Sequence, residues 1–562
     1  MAGDDAMNEH SAARRLSAVL AYHQSSKHGL GAYAPGPGRL DWASQPDPFR
    51  RYAGARLLSL ETIEPQDEPR YDALFECASR PQPKPLNRLS LSQLFFDSLA
   101  LSAWKQFGGS RWALRVNASS GNLHPTEGYL ICGPIEGLNE TPMICHYAPR
   151  AHALEVRAEF DQGLWRMLSA GFPPHTLFLG LTSIHWREAW KYGLRAYRYC
   201  MHDAGHAMGA VTIAAAVLGW RCRLVDELGA EQLALLLGTS NPGVAATEAE
   251  EPDALLACFP EGECSQHAGL STAVLESFAK LAWQGRPNRL SPAHLDWHLN
   301  DIAVAVRRPP GAARYPTAQN PNARCPAVAH PVSARCIIRQ RRSAVAMDGR
   351  SAMPRDLFYR MLARTLAAPG VPPFDTLPWN PKLHFALFVH RVEGLAPGLY
   401  LLVRDAAAQE TLRSALSHAH AWTRPADCPS WLPLFCLMEG DVREVARQIA
   451  CAQDIASDGC FSLAMLAEFE APLRQHGAWF YPRLYWEAGL IGQLLYLEAE
   501  AAGLRATGIG CYFDDPMHDL LGLQDQRFQD LYHFTCGGAV EDTRISTLPA
   551  YDAERARPPQ QE

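Results

Sequence analysis

No two of the fifteen cysteines in this sequence are spaced as CxxC, and most stand in apolar company, as Cys460 does ahead of FSLAMLAEF. That pattern reads as buried, reduced thiols of a cytoplasmic chain rather than a zinc site or a disulfide framework, so no metal is expected. Long apolar runs are missing too. The longest, Val211 to Trp220, falls far short of the ~20 residues that a membrane-spanning helix needs. The opening MAGDDAMNEHSAARR is polar and acidic, without the apolar segment of a secretory signal. Excess positive charge is absent as well. A formal net charge of -7 gives no electrostatic reason to meet nucleic acid or an anionic membrane. No GxGxxG turn stands between a strand pattern and a helix pattern.

What the chain does have is a repeat. Laid against itself at a shift of 284 residues, it brings Ala204-Gly205 onto Ala488-Gly489, Gly219 onto Gly503, and Leu236-Leu237-Gly238 onto Leu520-Leu521-Gly522. Each copy runs acidic residue (Asp203, Glu487), Ala-Gly, a helix-compatible stretch, Gly, then a short hop to Leu-Leu-Gly. At 562 residues the chain exceeds what one core organises, and domains of roughly 250 residues are expected. The repeat makes them two copies of one fold.

Residues 1–80 are rich in Pro and Gly and read as an irregular, extended arm. The pattern predicts a helix over Ser92–Trp104, a Gly108-Gly109 turn, and strands over Glu127–Cys132 and Thr176–Ser183. It also predicts a buried helix over Asp203–Trp220, apolar on nearly all faces. From about 284 to 334 the chain is Pro-rich with too little apolar periodicity for a core. This reads as a linker between a first domain (1–283) and a second (335–562). The second copy restarts with Arg335, Arg339, Arg341 and Arg342, then a helix over Pro354–Leu366. HFALFVHRVEGLAPGLYLL reads as two strands around a turn, with Gly394-Leu395 answering Gly137-Leu138. Strands interleaved with helices in both copies predict an α+β fold.

The segment Arg115–Tyr129, RVNASSGNLHPTEGY, crowds two hydroxyls, a glycine, an amide and a proline ahead of a strand. A Ser-Ser-Gly-Asn turn presents backbone N–H groups and short donors to a planar polar ligand, and Gly121 lets the backbone come near. SSGNLHPTEGYLI resembles the corresponding segment of the flavin-dependent nitroreductase superfamily, in its SagB-type dehydrogenase branch. YHQSSKHG, LDWASQPDPFRRYAGA and KYGLRAYRY in the first copy extend that resemblance, as do RRS, GLRATGIGCYFDD and HFTCGGAVEDTRISTLPAY in the second. The resemblance touches most of the chain. It implies two tandem nitroreductase-like domains, each an antiparallel-type sheet with helices, paired as an intramolecular pseudo-dimer. It also implies FMN, bound where two subunits of that superfamily meet. One subunit supplies an Arg-x-Ser phosphate site and a loop after the central helix, and its partner lays the Ser-rich turn on the ring.

Within that frame the divergence of the copies becomes readable. Arg341-Arg342-Ser343 offers guanidinium forks and a hydroxyl suited to a phosphate dianion, although Val345 stands where a further basic residue is usual in the family. Thr507-Gly508-Ile509-Gly510-Cys511 carries the glycine pair of the loop, and Arg544 is a candidate second phosphate contact. The first copy keeps Ser119, Ser120, Gly121 and Asn122 but reads Trp220-Arg221-Cys222-Arg223-Leu224 where the loop belongs. Conversely, the second copy has Leu377-Pro378-Trp379-Asn380-Pro381 about where a Ser-rich turn belongs. One composite FMN site is therefore expected, built from Arg341, Arg342, Ser343, Gly508, Ile509, Gly510 and Arg544 of domain 2 and the turn of domain 1. The other site has decayed.

Lys191-Tyr192 resembles the proton-handling pair of SagB-type azoline dehydrogenases. Hydride leaves a C–H for flavin N5 while a base takes the neighbouring proton, and a dry pocket can bring a lysine to that task. Tyr192 would donate a hydrogen bond or relay the proton. His206 reads as a hydrogen-bonded core histidine, and His418 and His420 lack a third ligand nearby. Glu127 either orients the turn or caps its strand. The resemblance implies an FMN-dependent oxidoreductase that dehydrogenates azoline-type heterocycles in a peptide or small molecule, with O2 or another acceptor recycling the flavin. Two alternatives stand beside it: an NAD(P)H-dependent nitro or quinone reductase, and a non-catalytic flavin- or peptide-binding scaffold.

Overall fold

Two antiparallel sheets repeat one strand order. The computed structural model describes residues 2–76, 80–239, 245–260, 262, 272–311, 315 and 332–551, and the side chains of these from 10 onward, Thr272 excepted. The first sheet runs Arg56–Ser59, Ala153–Glu159, Met143–Ala148, Thr126–Cys132, Leu177–Ser183, Glu251–Phe259, Arg221–Leu224. The second runs Leu434–Glu439, Gly398–Leu402, Leu383–Val389, Phe461–Glu468, Phe528–Gly537, Arg505–Ile509. Apart from the extra edge strand Arg56–Ser59, the two correspond position for position. Central strands such as Leu177–Ser183 are buried along their whole length, because helices and loops cover both faces of the sheet; their sequences are accordingly continuous rather than alternating in apolar character.

Between the sheets lie two central helices, Ala196–Val217 and Tyr481–Ala501, packed on each other with every residue buried. Glycine permits the close crossing: a Cβ on Gly205 would stand 2.9 Å from the Cα of Gly489. The other repeated glycines also keep equivalent tasks. Gly219 and Gly503 follow the central helices at φ +73° and +71°, and Gly238 and Gly522 end the next helices at +64° and +75°. These are left-handed positions that helix C-termini favour and that glycine occupies without strain. One core runs continuously around the helices through both halves. Each sheet has its own smaller core on its other face.

The halves exchange their ends. An N-terminal helix, Ala2–Ser25, docks on the second half, where the His23 ring meets Tyr481 Oη at 3.2 Å and Gln529 Oε1 at 3.1 Å. In return the strand Ser546–Leu548 joins the first half's hairpin of Leu101–Phe107 and Ser110–Arg115. Buried ion pairs cross the junction in both directions: Arg198 reaches Asp514 and Arg483 reaches Asp226.

Three expectations need correction. Residues 1–80 are not irregular throughout, because Val19, Tyr22 and His23 fall on one face of the N-terminal helix and are buried. The helix expected over Ser92–Trp104 spans Arg88–Phe96. The chain then turns into the strand Leu101–Phe107, whose inner end is buried and whose outer end is exposed. Finally, the described part of 284–334 is not a bare linker. Arg286–Pro287 pairs with Tyr52–Ala53, and the helix Leu299–Ala305 buries Leu299, Ile302 and Ala303. Its apolar residues are too sparse to form a core alone but suffice to join an existing one. Residues 312–314 and 316–331 of that stretch lie outside the described residues.

Among the described residues no helix is long and apolar enough to cross a membrane. None of them forms a group of three or more His, Cys, Asp or Glu side chains that could hold a metal ion.

Candidate functional site

The Ser-rich turn is anchored from the first central helix. Ser120 donates to the Asp203 carboxylate through its backbone N–H and its hydroxyl, each at 2.9 Å. Gly121 and Asn122 both take positive φ, +56° and +59°, a conformation that glycine and asparagine tolerate. Asn122 Nδ2 donates to the Ala113 carbonyl at 2.8 Å. Burial pushes the Asp203 carboxyl up to about 7, even though the Ser119 and Ser120 donors pull the other way. Glu127 resolves toward the orienting role. It accepts from Arg187 at 2.5 Å, and Arg187 also donates to the His124 carbonyl at 2.8 Å, so Glu127 fixes the exit of the turn through that guanidinium. Burial opposes charge on Glu127, but Arg187 and His146 outweigh it and hold the carboxyl well below its usual range.

The equivalent acid of the second copy does the same task for a different turn. Glu487 accepts from Lys382 N at 3.0 Å and Trp379 Nε1 at 3.4 Å, and Arg404 donates to it at 2.6 Å. The Leu377–Pro381 segment thus occupies the place of a Ser-rich turn without its hydroxyls.

From the second half comes a laced pair of segments. Ser343 Oγ donates to Tyr496 Oη at 2.9 Å, and Gly508 N donates to the same oxygen at 3.0 Å. Thr507 Oγ1 donates to the Ala344 carbonyl at 2.7 Å. Arg341 is buried against the Tyr496 ring, with one donor on the Arg115 carbonyl at 3.0 Å, and its Nε is buried without a partner. Arg342 donates to the carbonyls of Arg339, Arg341 and Ser102. Burial, then the guanidiniums of Arg341 and Arg339, push its pKa down to about 9, so it stays charged at neutral pH. Arg505 pairs with the buried Glu500. Guanidiniums thus outnumber carboxylates at this spot, which favours an anion, and the unpartnered Arg341 Nε and the exposed Ser343, both set around Tyr496, are donors of the kind a phosphate takes.

Not every expected residue joins this group. Arg544 is exposed, with its guanidinium bound to Asp542 of its own turn and lying over the Phe107 ring. A local Asx-type turn, with Arg544 N on Asp542 Oδ1 at 3.0 Å, aims it away. The Ile509 side chain packs with Ala450 and Ala456, so only its backbone can face a ligand. Val345 is 84% exposed, and Arg505, the further cation of this half near Arg341 and Arg342, is paired with Glu500.

The two halves meet at these segments. Gln493 Oε1 accepts from Ala118 N at 3.2 Å and lies 3.3 Å from His206 Nδ1. His206 Nε2 lies 3.1 Å from Tyr532 Oη. Burial first, then Arg341, push His206 down to about 3, so it is neutral, and the network assigns its proton to Nδ1. Tyr532 in turn covers the side that Gly508 leaves open, and Tyr199 covers that of Gly510, donating to its carbonyl at 3.0 Å. On the turn side, the Tyr192 hydroxyl lies against Gly121, and Lys191 Nζ is 3.2 Å from where a Gly121 Cβ would stand. Tyr192 meets Tyr199 edge-on at 4.6 Å. Burial, then Glu188, keep the Tyr192 phenol protonated.

Ser119, Ser120, Gly121, Lys191 and Tyr192 are therefore brought together with Arg341, Ser343, Gly508 and Gly510. Sequence reasoning missed Gln493, Tyr496, Tyr532, Tyr199 and Arg505. The first two carried a signal: they fall on Gly209 and Thr212 in the repeat, a polar and an aromatic residue present in one copy only.

No family model and no curated relative matches this sequence. Solved structures do. A candidate nitroreductase from Anabaena variabilis is 21% identical, covers 93% of this chain with 99% of its own, and superposes with a TM-score of 0.67. A second candidate nitroreductase, from Ralstonia eutropha, is 17% identical over 42% of this chain and 100% of its own, TM-score 0.27. The E. coli microcin synthetase McbBCD complex is 18% identical over 38% of this chain and 70% of its own, TM-score 0.26. With a full-length superposition on the Anabaena protein and one strand order used twice, the chain has a nitroreductase-like fold, built as two tandem α+β domains.

Proposed function

We propose that the chain is an FMN-dependent oxidoreductase with a single composite flavin site, acting on an azoline-type heterocycle in a peptide or small molecule. One observation carries this reading: the segment of the Ser-rich turn is linked to Gly508 of the second half through Gln493, His206 and Tyr532, and Tyr192, which lies on the turn, is linked to Gly510 through Tyr199. Arg341, Arg342 and Ser343 would hold the phosphate, and the N–H groups near Gly508 and Ser120 would border the ring. FMN bound there would supply a two-electron acceptor. Lys191 is the base for the substrate proton, placed at the turn by the helix His185–Tyr192. Tyr192, neutral and half-buried, donates a hydrogen bond beside it. Tyr199, Tyr532 and the His202 ring, stacked on Tyr532 at 4.1 Å, keep the inner wall dry.

Purified protein tests this directly. One flavin per chain, reduced when an azoline-containing peptide is added anaerobically, supports the reading; two per chain would sink the single site. Bleaching by NAD(P)H instead of the azoline would favour a nitro or quinone reductase. One feature favours the scaffold alternative, namely that Tyr532 and Tyr199 cover the open sides of Gly508 and Gly510. Colourless protein that takes up no added FMN would establish it.

A further inference from the structure

Two sulfurs beside the Gly508–Gly510 loop have no part in that reading. Cys511 follows Gly510, and its Sγ is 2.9 Å from that of Cys451. Both side chains are half-buried, so reagents can reach them. Cys451 and Ala452 take φ of +55° and +58°, which folds the segment after the helix Arg443–Ile449 back onto the loop. Hydrogen bonds clamp the two backbones together: Gln453 Nε2 donates to the Cys511 carbonyl at 2.9 Å, and Phe513 N to the Ile449 carbonyl at 2.8 Å. Since disulfide sulfurs stand about 2.0 Å apart, closing this pair needs movement of less than about 1 Å.

The surroundings distinguish the two thiols. The hydrogen bond with Cys451, then the His28 imidazole and the Arg195 guanidinium, hold the Cys511 thiol below its usual range despite burial. The same contact, and burial, raise Cys451. A thiolate is the attacking species in disulfide exchange, and an adjacent thiol resolves the mixed product.

We propose that Cys511 and Cys451 form a thiol–disulfide exchange site for low-molecular-weight disulfides. Cys511 thiolate attacks one sulfur of the disulfide RSSR, forming a Cys511–SR bond and releasing RS⁻. Cys451, losing its proton to solvent or to that thiolate, then attacks Cys511 Sγ and expels the second RS⁻. The chain is oxidised by two electrons to the Cys451–Cys511 disulfide, and RSSR is reduced to two RSH. No flavin is needed, so the site stands or falls apart from the reading above. Cys222 and Cys258 provide an internal contrast. Their sulfurs are also close, at 2.7 Å, but they are paired across adjacent strands and only 5% and 0% exposed.

The full chain is equilibrated with mixtures of glutathione and glutathione disulfide, quenched in acid, alkylated and mapped by mass spectrometry. The Cys451–Cys511 linked peptide should rise with the share of glutathione disulfide, while Cys222 and Cys258 stay thiols. Cys451→Ser should stop with glutathione on Cys511, and Cys511→Ser should lose glutathione addition at Cys451. Wild-type protein with both cysteines alkylated at every ratio overturns the proposal without recourse to a variant. So does Cys511→Ser protein that takes glutathione on Cys451 as fast as Cys451→Ser takes it on Cys511.

Discussion

Gly205 and Gly489, which the repeat superposes, touch each other in the fold: a Cβ built on either would lie 2.9 Å from the other's Cα, and nearer still to the Trp486 or His202 carbonyl oxygen. Backbone cannot swing aside as a side chain can, so Gly205→Ala must push the central helices apart. Overpacking of this kind costs about 1–3 kcal/mol. Gly209→Ala should cost less, because its tightest contacts, Gln493 Cβ at 3.0 Å and Leu490 Cα at 3.4 Å, are looser than that of a Gly205 Cβ with the Trp486 carbonyl oxygen. Urea midpoints order the two variants, and equal losses would contradict the crossing described.

Arg341→Lys keeps the charge and removes the fork. If Arg341 holds a phosphate, losing a charge-assisted hydrogen bond worth about 1.5–3 kcal/mol weakens FMN binding by roughly tenfold or more. Arg544→Ala should leave flavin content unchanged, since Arg544 is committed to Asp542. Flavin absorbance per chain after desalting separates the two.

Lys191→Ala should retain bound FMN and lose substrate oxidation, by the ~10²–10⁴-fold that a general base contributes. Unchanged turnover would remove Lys191 from the reaction. The Lys191→Arg variant keeps a cation and should not restore the rate.

Asp203 predicts a pH dependence. Its carboxyl sits at about 7 in the fold against 3.8 in an open chain. Between those values the native chain holds a proton that the unfolded chain has released. This group's contribution to stability is therefore complete below about pH 4 and is lost as pH rises through about 7. Asp203→Asn cannot titrate there. The difference in unfolding free energy between wild type and variant should change steadily from about pH 4 to about pH 7. A constant difference would show that Asp203 does not carry the proton.

The sequence made the duplicated scaffold legible because its landmarks are backbone constraints. Gly219, Gly238, Gly503 and Gly522 occupy left-handed positions, and few residues can replace glycine there. Leu177–Ser183 announced a strand by its continuous apolar run. The N-terminal helix stayed hidden because its buried face is short and needs the second half to bury it. In the site, the turn residues could be named in advance since their chemistry is local. Tyr532 and Tyr199 could not, because Tyr532 reaches Gly508 from the adjacent strand and Tyr199 reaches Gly510 from the other half's central helix, and neither pairing leaves a mark in a linear pattern. Arg544 misled for the opposite reason: its partner Asp542 lies only two residues away, and a local ion pair leaves no trace in a pattern.

The exchange of ends bears on how the protein is made. On the ribosome, the Leu101–Phe107 strand emerges well before its neighbour Ser546–Leu548 and before Tyr551, 450 residues after Leu101, whose hydroxyl accepts from Leu101 N and donates to the Pro149 carbonyl. The first half must wait with an open strand edge, a hazard for pairing with other nascent chains, until that later segment has appeared. Maturation of the two halves is then one event rather than two in succession.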